Sequence, residues 1–63
     1  MLGDALAAWR WLRRVERAVH LDDLVAQLAL PRWRVLLVLR SHPEAFTESA
    51  GLRWCATKLA PKE

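Results

Sequence analysis

Few side chains in this sequence are equipped for covalent or metal chemistry. His20, His42 and Cys55 are the only imidazoles and the only thiol. They are too few and too scattered for a zinc site, which takes four ligands or three plus a water. Gly3 and Gly51 are the only glycines, so no glycine-rich phosphate loop exists. The seven carboxylates fall mostly where helices start or chains turn. An enzyme, a bound metal and a cofactor are therefore not expected. The chemistry that the residue types do support is electrostatic. Arg10, Arg13, Arg14 and Arg17 recur along one side of a helical stretch. Such a ridge either binds phosphates or serves as a solvated face. Trp9 lies at its border and can stack on a base or cover the edge of the core.

The 63 positions make one domain, with residues 1–60 as its body and 61–63 as the start of a linker or tail. A chain this short buries only about 60% of its unfolded surface. Four tryptophans offer large buried areas in compensation. Cys55 has no partner for a disulfide; beside Trp54 it reads as a small core hydrophobe in a reducing compartment. An intracellular protein, nuclear or cytoplasmic, is expected. No run of apolar residues is long enough to span a membrane, and the N-terminus lacks the pattern of a signal peptide. The net charge of +3 is unevenly spread. Positive charge gathers in residues 1–20 and 31–40, whereas 21–30 carries Asp22 and Asp23. LAPKE at the C-terminus suggests a module cut from a longer protein.

Three helices and a hairpin follow from periodicity. Asp4 reads as the N-cap of a first helix reaching Val19, with Ala5, Ala8, Leu12, Val15 and Val19 buried. The second helix runs from about Leu21 to Ala29, with Asp22 and Asp23 in its first turn, where negative charge is favoured. His20 stands at its entrance in a structural role. Pro31 suits the first position of a third helix. That helix ends near Ser41, because His42 precedes a proline. Val35, Val38 and Leu39 face the core, and Trp33, Leu37 and Arg40 face away. Beyond Pro43 the composition turns to β type. Phe46–Glu48 and Leu52–Thr57 read as two strands joined by Ser49-Ala50-Gly51. The expected fold class is α+β, a three-helix winged helix-turn-helix with a C-terminal two-stranded β-hairpin wing.

The run LDDLVAQLALPRWRVLLVL resembles the core of winged helix-turn-helix domains, with Leu24 and Val25 in its second helix and Val35 and Leu39 as buried anchors of the third. With SHPEAF after it, the stretch from Leu21 to Phe46 resembles the N-terminal winged helix of the zinc-finger antiviral protein family. Both have a Leu-Asp-x-Leu start, an Ala-Leu turn and a Phe-headed wing. LOTUS-type and left-handed nucleic-acid-binding winged helices are similar too. The resemblance implies binding and no catalysis. In such domains the third helix enters a groove and the wing touches backbone. The implied nucleic-acid contacts are Arg32, Trp33, Arg34 and Arg40 on the helix, and Arg53 and Lys58 on the wing. Arginine's fork suits phosphates and guanine edges, and Trp33 can stack on a splayed base, which favours RNA or single strands. The outer face of the third helix lacks Asn, Gln, Ser and Thr. Trp33, Leu36 and Leu37 offer the alternative of a protein-docking or dimerisation face. The expected partner is RNA or DNA, held mainly by phosphate and stacking contacts, with a protein partner or self-association as the other reading.

Overall fold

A computed structural model describes residues 2–62. The elements run α1 (Leu2–Val15), β1 (Val19–His20), α2 (Leu21–Leu28), α3 (Arg32–Ser41), β2 (Phe46–Ser49) and β3 (Arg53–Ala56). The three strands form one antiparallel sheet in the order β1-β3-β2. The fold is α+β, as expected, but the sheet has three strands and not two.

The added strand corrects the first helix. Glu16 adopts a left-handed backbone with φ 60° and ends α1 four residues before Val19. Val19 is buried nonetheless, because as a strand residue opposite Trp54 it points at the same core. Helical spacing and this placement both bury it, so periodicity could not separate them. At the other end α1 begins at Leu2, which places Asp4 in the first turn and not at the cap. There its charge still suits the positive end of the helix dipole.

α2 and α3 keep the expected places with small shifts at their ends. His20 caps α2: the Asp22 backbone N–H donates to His20 Nδ1 at 3.0 Å. Ala29 lies past the helix in a left-handed conformation, φ 55°, with its N–H donating to the Val25 carbonyl at 2.9 Å. Pro31 occupies the cap position of α3, one residue earlier than expected. Its carbonyl accepts from the N–H groups of Arg34 and Val35.

In the hairpin, Ser49 pairs with Arg53 and Phe46 with Ala56. Both strands are therefore offset slightly from the expected limits. Ala50, Gly51 and Leu52 make the turn, with φ 77° at Gly51 and 57° at Leu52. Gly51 adopts this backbone without steric cost. Leu52 stays because its side chain packs against the core and its carbonyl accepts from Leu21 N–H at 2.9 Å.

The core draws on every element. Ala5, Ala8 and Leu12 of α1 meet Leu21 and Leu24 of α2 and Val35, Val38 and Leu39 of α3. Val19, Ala45, Phe46 and Trp54 close it from the sheet side. Each fully buried leucine contributes about 1.5–3 kcal/mol relative to an exposed one. Among the described residues no helix is long and apolar enough to cross a membrane. Pro61, within the expected tail, is buried.

Candidate nucleic-acid interface

The arginines sort into two groups by their partners. Arg32 at the start of α3 pairs with Asp22 of α2. Arg34 sends Nε (3.0 Å) and Nη2 (2.8 Å) to the same oxygen of Asp4, tying α3 to α1. Two expected helix contacts thus hold helices together and have their charge offset. Asp4 and Asp22 were not legible as their partners, since nothing in linear spacing pairs residue 4 with residue 34.

The other group has no carboxylate partner among the described residues. It comprises Arg10, Arg13, Arg14 and Arg17 on and just beyond α1, Arg40 at the end of α3, Arg53 on β3, and Lys58. All are exposed. The α1 ridge is held out by the burial of Ala5, Ala8 and Leu12 on the opposite face. Arg13 lies over the Trp9 ring, 5.7 Å from its centroid, and Trp9 is itself fixed by an indole N–H donated to the Thr57 carbonyl at 2.9 Å. A cation–π contact of this kind steadies the guanidinium without neutralising it.

Where α1 ends, a cleft of about 590 Å³ opens towards β3. Leu12, Ala18, Cys55 and Ala56 line it together with the charged Arg13, Glu16 and Arg17. Cys55 is half-exposed here and not a core residue. Strand alternation explains the difference: Trp54 points inward, so its neighbour points outward.

Thr57 is the feature that sequence reasoning missed. Its hydroxyl donates to the Glu44 carbonyl at 2.6 Å and accepts from Leu59 N–H at 3.1 Å. Its own N–H donates to the Ala45 carbonyl at 2.8 Å. With the Trp9 bond it joins the end of β3 to α1 and to the segment before β2. This fixes the position from which Lys58 emerges.

The outer face of α3 exposes two large apolar side chains. Trp33 is 66% exposed and Leu37 44%. Leu36 is half-buried and packs in part on the core. Trp33, Leu37 and Arg40 follow at helical spacing, opposite Val35, Val38 and Leu39. The sequence-expected candidates therefore lie on three surfaces: the α1 ridge, the α3 face, and the sheet with its following segment. No family model matches the chain, and neither a curated protein nor a solved structure matches it.

Proposed function

We propose that the chain is a non-catalytic winged-helix module that binds nucleic acid through phosphate and stacking contacts. The observation that carries this reading is the α1 ridge: Arg10, Arg13 and Arg14 on the helix and Arg17 just beyond its end, all exposed and with no carboxylate partner among the described residues. Arg53 and Lys58 extend the positive charge to the sheet side. The element order, with a helix pair α2–α3 followed by a hairpin, supports the winged-helix reading, and the likeness to the zinc-finger antiviral protein family rests on the residues from Leu21 to Phe46. An intracellular place, nuclear or cytoplasmic, follows from such a partner. Because Arg32 and Arg34 are engaged, phosphate binding shifts from the start of α3 towards α1 and the sheet. Base-edge reading by α3 is poorly supported, since its outer face offers only Trp33, Leu37 and Arg40.

Fluorescence anisotropy with short single-stranded RNA, single-stranded DNA and duplex DNA tests the reading. Binding should weaken steeply with salt. Replacing Arg13, Arg14 and Arg17 with Ala should lower affinity and reduce the salt slope by about one per lost phosphate contact. The reading fails if no strand binds more tightly than about 1 mM at low salt, well below ordinary non-specific affinity.

A second reading is favoured by one observation. The exposure of Trp33 and Leu37 leaves an apolar face suited to a protein contact.

A further inference from the structure

We infer that the outer stripe of α3 is a homodimer seam, in which two copies of this helix pack antiparallel about a two-fold axis near Leu36 and Leu37. The inference does not rest on nucleic-acid binding, whose carrying observation is the ridge on α1.

The argument begins with the order of residues on the stripe. Trp33, Leu36, Leu37 and Arg40 read almost symmetrically about the midpoint of the middle pair. In an antiparallel pair centred there, Trp33 meets Arg40 of the other copy at both ends, and the leucines meet at the centre. A two-fold interface demands this self-complementarity: if one residue contacts a second, the second contacts the first. Each end then places a guanidinium on an indole, an attractive pairing that is stronger once water is excluded.

Charge favours the same occupant. Asp22 and Asp4 offset Arg32 and Arg34, so Arg40 is the free cation of α3 among the described residues. An acidic partner would find one free cation on this face; a second copy supplies the aromatic ring that Arg40 lacks in its own chain. Nucleic acid would find one stacking ring and one phosphate contact beside exposed leucine. The two Arg40 side chains sit at opposite ends of the seam, which limits their repulsion.

The dimer is weak by size. A standard interface takes roughly 800 Å² from each partner, about a fifth of the 4012 Å² that this chain exposes. A ten-residue helix, about 15 Å long, offers a smaller seam. Association in the range of tens of micromolar or weaker is expected, consistent with small transient contacts.

Sedimentation equilibrium of the full chain without nucleic acid is the direct test. A concentration-dependent dimer is expected. Leu37→Asp should abolish it while circular dichroism stays native, because Leu37 is already 44% exposed. Arg40→Ala should weaken it about five- to thirty-fold, the loss of two cation–π contacts. The Arg13, Arg14 and Arg17 triple alanine variant should still dimerise, and added salt should not weaken the dimer, since screening relieves repulsion between two chains of charge +3. Geometry is tested with single cysteines in a Cys55→Ser background. Leu37→Cys lies near the axis and should form a symmetric disulfide. Ser41→Cys lies about 13 Å along the axis from its copy and should not, being beyond disulfide reach. A chain that stays monomeric to about 1 mM, far above the affinity expected of a small seam, overturns the inference. So does equal crosslinking at both positions. A Leu37→Asp variant that loses strand affinity without any change in self-association assigns the stripe to nucleic acid and likewise overturns it.

Discussion

Among the described residues, three non-glycine positions adopt left-handed backbone: Glu16, Ala29 and Leu52. For an L-residue this conformation costs roughly 1–2 kcal/mol, and glycine avoids the cost. Ala29 and Glu16 are exposed and end helices, so their side chains contribute little in return. Ala29→Gly and Glu16→Gly should each stabilise the fold by up to about 1 kcal/mol. In thermal denaturation that corresponds to a midpoint higher by about 4–8 °C for a chain of this size. Leu52→Gly should do the opposite, because it gives up a side chain packed on the core. The helix break at Ala29 was legible from Leu30-Pro31, but its handedness was not. Sequences usually mark this conformation with Gly or Asn, and here alanine and glutamate hold it through their place after a packed helix.

At the scale of elements, α3 is pinned near its start by two ion pairs to two different helices. Their exposure differs, and so should their worth. Asp22 is 63% exposed against 25% for Asp4, which receives two donors from Arg34. Asp4→Ala should cost about 1 kcal/mol and Asp22→Ala less than about 0.5 kcal/mol, as read from urea midpoints. The same pairs affect binding. If strands reach the start of α3, Asp22→Asn frees Arg32 and should raise RNA affinity a few-fold at low salt; an unchanged affinity would confine binding to α1 and the sheet. Helix positions and inward faces were legible because apolar spacing directly reflects burial. Leu12, Leu24, Val35 and Leu39 are buried as read. β1 was not legible: two residues are too few to display an alternation, and Val19 also completes a helical stripe. The engagement of Arg32 and Arg34 was hidden for another reason, since it depends on how helices cross and not on local pattern.

For the whole molecule, the Thr57 cluster ties together segments distant in sequence. Thr57→Val keeps the shape and removes the hydroxyl bonds to Glu44 and Leu59. It should destabilise the chain by about 1–2 kcal/mol, a large share of the stability of so small a domain, and protection of Trp9 and Ala45 environments in hydrogen exchange should fall with it. The fold class, the inward faces of the helices and the pairing of β2 with β3 could be read from sequence; the sheet's third member could not, because it lies far upstream in the chain. That arrangement carries a consequence for biosynthesis. β3 comes last yet stands in the middle of the sheet, between β1 and β2. As the polypeptide emerges from a ribosome at about 5–20 residues per second, β1 waits unpaired until the final strand arrives. The helices can collapse early, since their contacts are local, but the sheet closes in one late step. A nascent chain stalled before Arg53 should thus stay protease-sensitive at the segments of β1 and β2, and one released past Thr57 should become resistant there at once.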